Sequence, residues 1–151
     1  MGRFYSVTLP ETAITAAADL FEITAATDKP VRIWGWNISQ DTDVGDAQEE
    51  VLQLQLKRGI TAGSGGSSIT PVAMDANGTA AGATCTNRTT AHTNGSILIQ
   101  HGWNIRTVED HWFIPEAAPT IGADDDPVVL WMSAPADSIT VSGSLIFEEL
   151  A

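Results

Sequence analysis

Apolar and polar residues alternate with a period of two in several stretches of the chain, most clearly near its C-terminal end. There Ile139, Val141, Gly143, Leu145 and Phe147 interleave with Thr140, Ser142, Ser144 and Ile146, the spacing that puts one set on each face of a pleated strand. A second such run has Leu52, Leu54 and Leu56 facing one way, with Gln53, Gln55 and Lys57 facing the other. Both predict half-buried strands with one wet face. In the stretch 97–105, Ile97, Ile99, His101, Trp103 and Ile105 alternate with Leu98, Gln100, Gly102 and Asn104. Further strands are expected over 3–9, 19–24, 31–39, 111–115 and 128–133. That makes about eight, enough for a two-sheet β-sandwich or jelly-roll-like barrel that manages its own edges. The short stretch 13–18 reads as either one helical turn or an edge strand.

Strict alternation over 31–39 places Trp34, Trp36 and Ile38 on one face and Val31 and Ile33 on the other. A strand apolar on both faces lies centrally in a sandwich or turns its outer face to another subunit. Gly35-Trp36-Asn37-Ile38 recurs as Gly102-Trp103-Asn104-Ile105, which reads as two strands meeting similar packing demands. Two long connections are expected. One, at about 59–71, holds the Gly/Ser run 63–68, and the other, at about 75–95, is rich in Ala, Thr, Gly and Asn. Both have the composition of surface loops. The chain of 151 residues reads as a single domain over 1–151.

Charge narrows the partners. Lys and Arg number 7 against 19 Asp and Glu, a net charge of −12, which disfavours nucleic acid and anionic bilayers. No apolar run approaches the roughly 20 residues of a membrane-spanning helix. The opening residues lack the apolar core of a secretion signal, because Ser6, Thr8, Pro10 and Glu11 interrupt it. A single cysteine, Cys85, excludes a disulfide framework within the chain, and with Thr84 and Thr86 beside it an inert thiol is expected.

No assembled chemistry emerges from the motifs, so no catalytic residue, cofactor or metal site is expected. Asp41 to Asp46 resembles a calcium loop, but Gly45 is its fifth residue and Leu52 its twelfth, which fails the helix-loop-helix pattern. The run Asp124-Asp125-Asp126-Pro127 reads as a solvated turn. His92, His101 and His111 lack the i,i+4 spacing of a helical zinc pair. His101 falls on the apolar-facing phase of its strand and is expected to be a partly buried imidazole. His111 follows Glu109 and Asp110, whose charges are expected to raise its basicity. No phosphate-binding loop or nucleophile elbow is present. The sequons at Asn37, Asn77, Asn87 and Asn94 read as Asn in turns beside Ser and Thr, with Asn77-Gly78 and Asn94-Gly95 as hairpin corners.

Several segments occur in an order that resembles small structural proteins of tailed phages and prophages. They are Arg3 to Thr8, Asp19 to Ile23, Lys29 to Arg32, Asp43 to Ala47, Arg58-Gly59 before the Gly/Ser loop, and Ala134 to Ser138 leading to Glu148-Glu149. The nearest class is the head decoration, or cement, proteins. The resemblance implies a jelly-roll subunit, often a trimer, made in the bacterial cytoplasm and bound to the capsid exterior through the major capsid protein. Other expectations are a tail or head–tail component and a carbohydrate-binding sandwich that uses its tryptophans. For decoration, the N-terminal segment is expected to dock, with Arg3 meeting an acidic patch and Phe4 and Tyr5 as aromatic anchors. Trp34 and Trp36 are expected to join the interface through the two-faced strand.

Overall fold

The computed structural model describes residues 2–42 and 50–150. Its twelve strands run in the order β1 (Arg3–Ile14), β2 (Ala18–Thr24), β3 (Val31–Gln40), β4 (Val51–Arg58), β5 (Ser67–Ile69), β6 (Val72–Ala73), β7 (Thr84–Arg88), β8 (Ser96–Asn104), β9 (Glu109–Trp112), β10 (Thr120–Ile121), β11 (Val128–Met132) and β12 (Ile139–Glu149). Among the described residues the helical content is one 3-10 turn, Pro115–Ala117. The stretch 13–18 is no helix: β1 continues to Ile14 past an irregularity between Leu9 and Thr12, where Pro10 interrupts the ladder.

Two antiparallel sheets form a jelly-roll-like β-sandwich. One has the order β10-β3-β12-β1-β6, with β9 also paired to β3; the other has the order β5-β7-β2-β11-β4-β8. The apolar phases meet between them. Leu52, Leu54 and Leu56 from β4, and Val141, Leu145 and Phe147 from β12, are buried as their alternation requires. Tyr5, Phe21, Trp36, Trp103 and Phe147 are the bulkiest fully buried side chains. Removing their large apolar surfaces from water supplies much of the drive to fold.

Strand β3 departs from the sequence expectation, and β8 does so at Leu98, an extra residue beyond which Ile97 is exposed. On β3, Ile33 lies opposite Phe147 and Gly35 opposite Ile146, so Trp34 is an extra residue with no partner of its own on β12. A bulge of this kind resets the alternation. Val31 and Ile33 before it, and Trp36 and Ile38 after it, therefore all face the core, each at most 1% exposed. Arg32, Trp34, Asn37 and Ser39 take the outer side and are half-buried or exposed. Hence the strand is apolar on one face, and Trp34 and Trp36 do not share a side. Gly35 is required beside the bulge, because a Cβ there would run into the His111 carbonyl and the Trp112 ring.

The long connections are more structured than their composition suggests. Ser64 bridges to Thr90 and Thr61 to Thr93, while β5 pairs with β7. Gly66, at φ +78°, lies so close to the Asn87 carbonyl that no side chain would fit. The stretch 75–95 is an excursion with room for one strand in its composition, and it holds β7.

Candidate functional site

The strand pairing brings His101, Glu109 and His111 together where the two sheets end side by side. β8 is the last strand of its sheet and sets His101 opposite Leu54 of β4. β9 adds to β3 in the other sheet, setting Glu109 opposite Ile38 and His111 opposite Trp36. Glu109 and His111, two residues apart, share a face of β9. The turn between β8 and β9 carries the chain from one sheet to the other. The Trp103 indole N–H donates to the Thr107 carbonyl at 2.7 Å, and the Thr107 N–H donates to the Asn104 carbonyl at 3.0 Å. One potential ligand atom from each of the three residues lies within 4.8 Å of the others.

His101 Nε2 makes an ion-pair contact with Glu109 Oε1; the two side chains are 28% and 17% exposed. The imidazoles stack at 5.8 Å between centroids, and His111 lies over Trp36 at 4.7 Å. Phe113 meets the His111 ring edge-on. The site thus has an aromatic floor and a rim reachable by solvent. The Trp36 indole N–H, buried beneath, finds no acceptor among the described residues. Burial pushes the pKa of His111 down, and the neighbouring His101 pushes the same way. Glu109 and Asp110 pull it up without prevailing. The expected rise in His111 basicity is therefore reversed. Two imidazole nitrogens and a carboxylate oxygen around a partly open position form a donor set suited to a zinc-class ion.

A second polar group sits on the outer side of β2, beneath the long connections. Asp19 is fully buried; its two oxygens accept from the His92 backbone N–H and face His92 Nδ1, each at 2.8 Å. Burial raises the Asp19 pKa, and the His92 contacts partly offset this. Glu22 accepts from Arg88 at 3.1 Å and from the Gly63 N–H at 3.2 Å. Glu149 similarly accepts from the N–H groups of Gly82 and Ala83, both at 2.6 Å. These carboxylates pin the connections to the sandwich. Nearby, the Cys85 thiol is 1% exposed and is pushed up to about 12, chiefly by burial, so it is held as an inert thiol.

The residues expected at an interface separate. Arg3 and Phe4 are exposed and border a groove of about 530 Å³ shared with Met74, Asp75 and Thr79. Arg3 is hydrogen-bonded to Thr79. Tyr5 is fully buried and stacks on Phe147, because Tyr5, Val7 and Leu9 of β1 face the core; it offers no surface to a partner. Trp36 is likewise core, for the bulge described above. Trp34 is half-buried, its indole N–H donating to Glu148 at 3.0 Å with Arg32 over its ring. Most of the Asp41 to Asp46 run lies outside the described residues. Asp124 and Asp125 belong to a turn from Gly122 to Asp125, in which the Gly122 N–H donates to Asp125 at 2.7 Å, and Asp126 follows it.

Sequence reading missed the His101–Glu109–His111 cluster because its search for metal ligands was for helical spacing. It also began the strand at His111, which left Glu109 in a loop. Starting that strand two residues earlier would have put Glu109 and His111 on one face. Nothing in the sequence, however, brings β9 to the β8 edge. No protein-family model, curated protein or solved structure matches the chain.

Proposed function

We propose that this chain is a structural protein of a phage particle, a head decoration subunit that binds the capsid exterior and stabilises the shell. The observation that carries this reading is the groove beside the N-terminal strand. Phe4 and Met74, which line it, are 41% and 61% exposed, apolar side chains of the sort that anchor interfaces. The adjacent β6 pairs through two residues, leaving this sheet edge lightly covered. The resemblance of the segment order to that of phage structural proteins is in keeping with the reading. So does a charge of −12, which favours solubility before assembly and disfavours contact with packaged DNA.

Assembly as a homo-oligomer, a trimer in this reading, belongs to the same proposal. Its support moves away from the two-faced strand, which the bulge removes. Trp112 and Ile114, at 53% and 66% exposed, with Ile97 at 51%, now supply apolar surface for a closed ring. The tryptophans offer less to a carbohydrate, since Trp36 and Trp103 are in the core.

Mass spectrometry of particles purified from the source strain tests the proposal. Hundreds of copies per particle are expected for a shell protein. Tens would move it to the tail, and absence from particles would overturn both. Phe4→Ser with Met74→Ser should reduce head occupancy at least about tenfold while the isolated protein stays folded, as expected for losing two anchors. Unchanged occupancy would remove the groove from the interface. Tyr5 must stay in place for this test, because deleting it would empty a core position.

A further inference from the structure

From the meeting of β8 and β9 we infer a mononuclear site for a zinc-class divalent cation, held by His101, Glu109 and His111, that clamps the free edge of one sheet to the other. The inference does not depend on the proposed role in a phage particle.

Geometry carries it. A tetrahedral ion at ~2.1 Å from each ligand sets the ligand atoms ~3.4 Å apart. The three atoms already lie within 4.8 Å of one another, so rotations about side-chain bonds close the set without moving a strand. All three residues sit on paired backbone, with Leu54, Ile38 and Trp36 opposite them. The short turn at Asn104 to Thr107 fixes the separation of β8 from β9. A site built on strands in this way is ordered before the ion arrives.

Donor chemistry selects the class of ion. Two imidazoles and one carboxylate suit zinc, cobalt, nickel or copper, whereas magnesium and calcium favour all-oxygen sets. Without an ion the two imidazoles stack on one another and only His101 contacts the carboxylate of Glu109. With one, both nitrogens and the carboxylate act as ligands to the same positive charge. The side chains of His101 and Glu109 are partly exposed, which leaves a path for entry, while His101 Nε2 itself is buried at the end of it. Trp36 and Phe113 shield the opposite side.

The mechanical consequence follows from the topology. β8 and β9 are joined by the chain, yet no strand pairing between them closes the sandwich here. A metal bridging His101 to Glu109 and His111 supplies a cross-link between the two sheets at that opening.

The test uses the untagged, full-length protein, stripped with a chelator and titrated with zinc chloride by calorimetry. One ion per chain is expected to bind. A rise in melting temperature of roughly 5–10 °C is expected at ~100-fold excess over the dissociation constant. His101→Ala and His111→Ala should each weaken binding by at least about 100-fold, and Glu109→Gln by about tenfold or more, as for the loss of a ligand. Cobalt(II) bound to the wild type should give the visible absorption of a four-coordinate N/O site, a readout that depends on no variant. Magnesium and calcium should leave the melting temperature unchanged. Zinc binding to His101→Ala/His111→Ala within threefold of wild type would overturn the site, placing the ion on surface carboxylates. So would the absence of binding tighter than about 100 µM.

Discussion

Two of the groups of buried or half-buried ionisable side chains among the described residues are built on opposite plans. Around Asp19 and Glu22 each carboxylate is met by backbone N–H groups and a cationic or imidazole partner. The group lies under cover and holds loops in place. Around His101, Glu109 and His111 three potential ligands share one ion pair, a nearby indole N–H lacks an acceptor, and the rim faces water. The first is complete as it stands; the second has coordinating capacity left over. A fully satisfied polar group fixes structure, whereas an unsatisfied one at a surface opening has room for a ligand.

The largest expected effect is on stability. Asp19→Ala leaves the His92 backbone N–H and ring without their buried partner, and should cost about 3–5 kcal/mol by urea unfolding. Glu109→Ala, at a half-exposed pair, should cost no more than about 1 kcal/mol in metal-free protein. Equal costs would erase the contrast between the two groups.

Hydrogen exchange sharpens the same contrast residue by residue. The amides of Thr61, Gly63, Ser64, Thr90 and His92 donate to defined acceptors. They should exchange at least about tenfold slower than amides of a solvated loop, despite the Gly/Ser composition around them. Fast exchange across 60–66 would show that the carboxylates do not pin that connection.

A pH series probes Asp19 itself. Its folded pKa is raised, so the folded chain holds that proton more tightly than the unfolded chain does. The contribution is then fully present below the ordinary value of about 3.9 and is lost as pH rises through the raised value. The stability of wild type relative to Asp19→Asn should therefore decline as pH increases above about 4, measured by denaturant midpoints. A relative stability that climbs with pH would mean that the His92 contact outweighs burial.

The smallest effect concerns Cys85, which pairs with Ile23 beside this group. With its thiol pushed up to about 12, only about one part in 10⁴ is thiolate at pH 8. Iodoacetamide should leave the native protein unmodified over hours and react promptly in urea. Rapid native labelling would mean that β7 opens readily.

The sheet architecture was readable because β4, β8 and β12 alternate over long runs, and alternation is enforced wherever one face is buried. β3 was misread at one position, because a bulge leaves no compositional mark and Trp34 looks like any other strand residue. The connections looked loose for a different reason. Their order comes from Asp19, Glu22 and Glu149, carboxylates far away in sequence that resemble outward-facing positions until a loop covers them. Half of the candidate site was legible, since Glu109 and His111 differ by two residues. The other half, the approach of His101, depends on which sheet edges meet, and that is a tertiary fact.

The extra residue at Trp34 also governs how the chain tolerates changes in length. Most strands of a sandwich suffer from a one-residue insertion or deletion, because half of their side chains then exchange inside for outside. β3 already contains such an insertion and is built around it. Deleting Trp34 would restore uninterrupted odd–even order with Val31, Ile33, Trp36 and Ile38 still on the core face, because Gly35 alone would then stand between Ile33 and Trp36. The loss would be confined to the contacts of Trp34 itself, among them those with Glu148 and Arg32. In a lineage of this protein, one-residue gaps should be tolerated at Trp34 as in the connections, and rejected elsewhere in β3.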